Sequence, residues 1–252
     1  MLSKTKGKEL TEYLSDYVIF DLETTGISCY RDKVVEISGV KVIKGTVTDE
    51  FSHFVNPECH IPFPASQVNG ITDEMVSDAP LFNAILKDFL DFAGELPLVG
   101  HNIASFDMKF IYRDSEKYYG MVPGNDYIDT LRLSRICLPS LKHHTLTDLA
   151  TYYGISTAGA HRALNDCRMN QAVYEKLGEI LSERLKDVNK CPRCGSILVI
   201  KNLFKNTLKI SIFPFLKPIL LPGIRILFSI HFLHKHFIGT GVYTKIPIQC
   251  LI

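Results

Sequence analysis

The order of elements legible in this chain points to an α/β domain. Three strand-like runs follow one another near the start, helix and strand then alternate, and one long amphipathic helix closes the organised part. With 252 residues, 46% hydrophobic and 22% charged, the chain suffices for one good core and a small appendage. The expected organisation is an extension over 1–13, a domain over 14–187 and a tail over 188–252.

Residues 17–22 (Tyr-Val-Ile-Phe-Asp-Leu) are a short apolar run of the kind that makes a buried strand, and Thr24-Thr25-Gly26 is its exit. Residues 34–43 and 46–55, joined by Lys44-Gly45, read as a hairpin, so the first three strands form an antiparallel meander. Pro80 opens a helix in which Leu81, Ile85, Phe89 and Ala93 recur every fourth residue. Residues 96–100 read as a strand, and Phe106 and Phe110 mark a further helix. Thr145 with Asp148 forms a capping box for a helix through Tyr153 that Gly154 ends. The last helix, about Ala163 to Leu185, carries Val173, Leu177, Leu181 and Leu185 as its apolar stripe.

The net charge of +1 hides an asymmetry. Residues 1–190 hold 20 basic against 27 acidic residues, a net of −7, whereas the last 62 hold eight basic and no acidic residue. An acidic body is not that of a passive nucleic-acid binder, which touches phosphate through Lys and Arg. It suits an enzyme that meets phosphate through bound cations. Seven scattered cysteines (29, 59, 137, 167, 191, 194, 250) and an N-terminus without an apolar run argue against a disulfide framework and an export signal, so a reducing, cytoplasmic setting is expected.

Three segments carry the chemistry. Asp21 and Glu23 stand two apart at a strand end, so both carboxylates point to one side of the sheet, where two like charges want a cation between them. In Gly100-His101-Asn102-Ile103-Ala104-Ser105-Phe106-Asp107 a strand runs out and a helix begins, with Asp107 in its first turn. In His161-Arg162-Ala163-Leu164-Asn165-Asp166 a histidine lies in a Gly-containing approach and an aspartate lies inside the long helix.

In this order and spacing the three segments resemble the ExoI, ExoII and ExoIII motifs of the DnaQ-like DEDDh 3′→5′ exonucleases, over roughly residues 14–182. Asn69-Gly70-Ile71-Thr72 with Ala79-Pro80, and Asp129-Thr130-Leu131, resemble the connecting elements of that family. The resemblance implies a ribonuclease H-like fold, a mixed five-stranded sheet flanked by helices, and a two-metal phosphodiester hydrolase releasing nucleoside 5′-monophosphates. It makes Asp21, Glu23, Asp107 and Asp166 the metal ligands, with Asp21 bridging both ions, and His161 the general base. Thr24, Thr25 and Gly26 become binders of the 3′ end, with Asn102 and Phe106 lining the pocket. Oxygen-only ligands select Mg²⁺ or Mn²⁺, two per site. The expected partner is nucleic acid with a free 3′ end, single-stranded DNA above all, together with a DNA polymerase if the role is proofreading. RNA trimming and an inert nucleic-acid-binding or polymerase-tethering module are the alternatives.

The tail is separate. Cys191-Pro192-Arg193-Cys194 resembles the opening knuckle of a topoisomerase-type zinc ribbon, half of a Zn²⁺ site, but a second Cys pair is missing and only Cys250 and His231, His234 and His236 remain. Its apolar runs broken by Lys and Arg leave open a membrane-surface segment or a frame-shifted remnant; no stretch is long enough for a span.

Overall fold

The structure is a computed structural model that describes residues 2–188, 200–201 and 209–210. The strands and helices are, in chain order, β1 (Leu2–Ser3), β2 (Glu9–Leu10), β3 (Tyr17–Thr24), β4 (Val34–Ile43), β5 (Thr46–Phe54), α1 (Phe63–Asn69), α2 (Asp73–Val76), α3 (Phe82–Ala93) and β6 (Leu98–Gly100). They continue as α4 (Asp107–Tyr119), β7 (Val122–Pro123), β8 (Tyr127–Asp129), α5 (Thr130–Cys137), α6 (Leu146–Tyr152), α7 (Ala163–Val188), β9 (Ile200–Lys201) and β10 (Lys209–Ile210). The chain divides into two compact units, residues 1–182 and 183–252. Within the second, β9 and β10 pair antiparallel. The zinc-ribbon reading of Cys191 and Cys194, and with it Cys250 and the three tail histidines, lies outside the described residues. Among the described residues no helix is long and apolar enough to cross a membrane.

The first unit is built on a sheet of order β2-β8-β6-β3-β4-β5. The β2, β8, β6 and β3 strands run parallel, and β3-β4-β5 is the antiparallel meander expected. Lys44 (φ 52°) and Gly45 (φ 73°) take the doubly left-handed turn that matches the twist of a two-residue hairpin. The sheet has six strands rather than the five expected. The sixth, β2, comes from the first thirteen residues, and β1 likewise pairs with β7. Two-residue strands leave no periodicity to read, because one alternation cannot be told from chance.

The core lies between the sheet and α3 and α4. Phe20 of β3 packs on Phe89 of α3 at 5.1 Å between centroids, and Phe51 and Phe92 extend the cluster. The buried stripe of α3 is Phe82, Ile85, Leu86, Phe89, Leu90 and Ala93. Leu81, expected to open that stripe, is instead the exposed N-cap residue. Thr145 and Asp148 form the capping box of α6 as read, and Gly154 follows in the left-handed conformation.

One packing contact decides where the site forms. Tyr174 of α7 sits edge-on to Tyr17 at the start of β3, at 4.8 Å, and Glu175 accepts the hydroxyls of Tyr13 and Tyr17 at 2.5 and 2.6 Å. From Tyr174 back to Asp166 the helix rises about 12 Å. From Tyr17 to Asp21 the strand advances about 13 Å. Antiparallel passage of α7 along β3 therefore delivers Asp166 to the strand end that carries Asp21 and Glu23.

Candidate metal centre and active site

Because side chains alternate along β3, Leu22 enters the core while Asp21 and Glu23 stay partly accessible on the opposite side. Ligand oxygens of Asp21, Glu23 and Asp166 all lie within 4.8 Å of one another, close enough to share a cation. Asp107 stands outside that group. It is the first residue of α4 and is buried, and its Oδ1 accepts the N–H of Leu22 at 3.1 Å, between the two strand acids. Of the charged neighbours of Asp21 it is the one that acts most strongly.

The acids hold one another's protons. Loss of water, then the charges of Asp107, Glu23 and Asp166, pushes Asp21 well above the usual carboxylate range. Burial pushes Glu23 up to about 8, helped by Asp166 and Glu36 and opposed by Arg162. Burial lifts Asp107 to about 7 against main-chain hydrogen bonds that hold it down. Asp166 is raised by burial while the His161 N–H opposes. A site that keeps protons for want of positive charge, and offers only carboxylate oxygens, fits hard divalent cations.

His161 is exposed and takes φ 66°, a left-handed conformation uncommon for a residue with a side chain. Its N–H donates to Asp166 Oδ2 at 2.9 Å, so the turn that carries the histidine is tied to a member of the cluster. Thr24 donates to the Gly26 carbonyl at 2.7 Å, and Thr25 closes the following loop through Lys33 with bonds of 2.8 and 3.0 Å. A Cβ at Gly26 would meet the Asp32 carboxylate at 2.6 Å, so any other residue there must displace Asp32. Phe106 packs on Phe110, and exposed Asn102 takes φ 60°, a conformation that Asn tolerates better than most residues.

The sequence marked Asp129 only as part of a connecting element and gave it no role. This residue ends β8, N-caps α5 through the Leu131 N–H, and also accepts the N–H groups of Asn102 at 3.0 Å and Ala104 at 3.2 Å. It thus clamps the segment that leads to Asp107. Asp129→Ala leaves three N–H groups without their acceptor, and the expected loss is about 2–4 kcal/mol in chemical denaturation. His101, directly before the clamped Asn102, is a strut: burial holds its ring at about 4, so it stays neutral, 3.1 Å from the Thr130 hydroxyl, which donates to Asn170 of α7.

The model of an exonuclease family, RNase_T, matches residues 18–174. The chain belongs to that exonuclease family. It is 34% identical to the DNA polymerase III subunit epsilon of Aquifex aeolicus over 183 residues, 72% of this chain and 90% of that one. It is also 36% identical to a PolC-type DNA polymerase III of Caldanaerobacter subterraneus subsp. tengcongensis over 211 residues, of whose length it spans 15%. Among solved structures, exonuclease X in complex with 5′-overhanging duplex DNA aligns with a TM-score of 0.51 at 28% identity, over 66% of this chain and 91% of that one. Exonuclease I of E. coli, in complex with a dT13 oligonucleotide, shares the fold with a TM-score of 0.61 at 17% identity, over 70% of this chain and 44% of that one. The exonuclease fold accounts for the mixed sheet with helices on its faces, the ribonuclease H-like arrangement expected. A residue that the sequence did not reveal is Glu36, a buried acid on β4 directly opposite Glu23.

Proposed function

We propose that the chain is a metal-dependent 3′→5′ exonuclease that releases nucleoside 5′-monophosphates from DNA ends, in proofreading or repair. The convergence of Asp21, Glu23 and Asp166 within 4.8 Å, with Asp107 acting on Asp21, carries this reading. Asp21, Glu23 and Asp166 would hold the divalent cations, Mg²⁺ or Mn²⁺, with Asp107 completing the site. When bound, such ions lower the pKa of water and offset charge on phosphate and leaving oxygen. His161, exposed beside Asp166, would take the proton from the attacking water at a ring nitrogen. Thr24, Thr25 and Gly26 would seat the 3′-terminal nucleotide, and Asn102 and Phe106 would flank it. The names of the relatives, a DNA polymerase III subunit epsilon and a PolC-type DNA polymerase III, favour DNA over RNA and a polymerase as partner. Digestion of matched 3′-labelled single-stranded DNA, duplex with a mismatched terminus, and RNA in Mn²⁺ tests this. DNA is expected to be cut fastest, and RNA cut tenfold faster would overturn the assignment of substrate.

The raised acids give a pH signature. Glu23 and Asp107 titrate at about 8 and 7 in the fold but near their ordinary carboxylate values in the unfolded chain. Between those limits the folded form binds protons that the unfolded form has released, so stability is greatest at low pH and is lost as pH rises toward about 8. Divalent cations replace those protons. The expected result is a Mn²⁺-induced rise in thermal midpoint, measured against chelator, that grows from pH 5.5 to pH 8; a shift that stays constant contradicts the electrostatic account.

A further inference from the structure

Glu36 is 3% exposed, and both its oxygens are engaged. Oε1 accepts Arg162 Nη2 at 3.3 Å, and Oε2 accepts Arg162 Nε and the Ala163 N–H, each at 3.4 Å. The Arg162 guanidinium also lies over the ring of Phe54, 5.4 Å from its centroid, and Phe54 is the residue paired with Glu36 across β5. Adjacent strands thus build a seat of one carboxylate and one ring for a single arginine. That arginine stands between His161 and the first residue of α7. The turn is pinned on both sides: His161 N–H by Asp166, Arg162 and Ala163 by Glu36.

Arg162 is also the positive charge that acts on Glu23. Released from its seat, a guanidinium this near could pair with the carboxylates of Glu23 and Asp166, where it would compete with divalent cations. Glu36 does not share the cluster of Asp21, Glu23 and Asp166, and its oxygens are already taken, so its use is not that of a further cation ligand.

We propose that Glu36 is a positioning residue that seats Arg162 on β4 and β5, keeping the guanidinium off the metal carboxylates and the His161 turn in register with them. This rests on the exonuclease reading above, and it predicts a specific pattern of rescue. Glu36→Gln keeps an acceptor for the Ala163 N–H but loses the charge that holds Arg162. Mn²⁺ affinity, measured by calorimetry without substrate, is expected to fall about 10–100-fold. Removing the released cation in E36Q/R162M is expected to bring Mn²⁺ affinity back to within about twofold of the wild type, because residues in contact couple rather than add. In R162M alone Mn²⁺ affinity is expected to hold while kcat on a DNA oligonucleotide falls more than KM changes, because the turn has lost its anchor. A structural role alone would leave the double variant at least as weak as E36Q. Wild-type Mn²⁺ affinity in E36Q, or no recovery in the double variant, overturns the proposal. Should E36Q fail to fold, R162M decides: unchanged kcat overturns it. A wild-type protein that binds Mn²⁺ but degrades no nucleic acid defeats the exonuclease reading instead, and the calorimetric comparison still reports on Glu36.

Discussion

Asp21→Asn and Asp166→Asn are each expected to abolish metal-dependent degradation, by roughly 10³-fold or more, since several kcal/mol of charge stabilisation disappear with a cation site. The same substitutions should raise the thermal midpoint of the protein in chelator. Each removes one acid of a cluster in which burial and neighbouring carboxylates hold Asp21 well above, and Asp166 above, the usual titration range. The amide keeps the volume and, at Asp166, an acceptor for the His161 N–H. Loss of activity with gain of stability is the mark of residues kept for chemistry rather than packing. The two readouts separate a dead site from a collapsed fold. Undiminished digestion of a 3′-labelled oligonucleotide by both variants refutes the site.

His161→Ala should act differently, slowing degradation by about 10²–10⁴-fold, the usual worth of a positioned general base, while Mn²⁺ affinity stays near that of the wild type. The reason is geometric. The hydrogen bond His161 gives the cluster comes from its main-chain N–H, which alanine also supplies, and its ring is exposed. Activity of the variant should rise with pH more steeply than that of the wild type, because hydroxide takes over the work of the missing base. A variant with the wild-type rate at pH 7 removes His161 from the mechanism. One that has lost Mn²⁺ makes it part of the metal site.

Much of this was legible in the chain. Asp21 and Glu23 alternate with Leu22, so a strand had to turn both to one side; the long apolar stripe of α7 announced the helix that carries Asp166. The hairpin was written in Lys44-Gly45 and the start of α6 in Thr145 and Asp148. What escaped depends on register and on short elements. Glu36 sits in Val34-Val35-Glu36-Ile37, where nothing local says that the acid faces Glu23; only the pairing of β3 with β4 puts them opposite. Asp129 closes a three-residue strand, and two of its three N–H partners, Asn102 and Ala104, lie 27 and 25 residues earlier in the chain. The first strands are two residues long and gain their meaning from edges supplied by β7 and β8, more than a hundred residues later.

Asp107 opens α4 as its segment predicts, yet stands outside the group formed by the other three acids. Its motif marks it as a partner of the strand acids, and the fold buries it behind them, held by the Leu22 N–H and felt through charge on Asp21. Such a placement suits a ligand that reaches a cation through water, and Asp129 secures the segment before it.

The most direct test of the whole account is the product pattern from a 5′-labelled single-stranded DNA incubated with the purified protein in Mn²⁺ and, in parallel, in chelator. The account predicts a ladder that shortens one nucleotide at a time from the 3′ end in Mn²⁺, with nucleoside 5′-monophosphates accumulating, and intact strand in chelator. Internal cuts, release of the labelled 5′ nucleotide first, or the same ladder in chelator would contradict it.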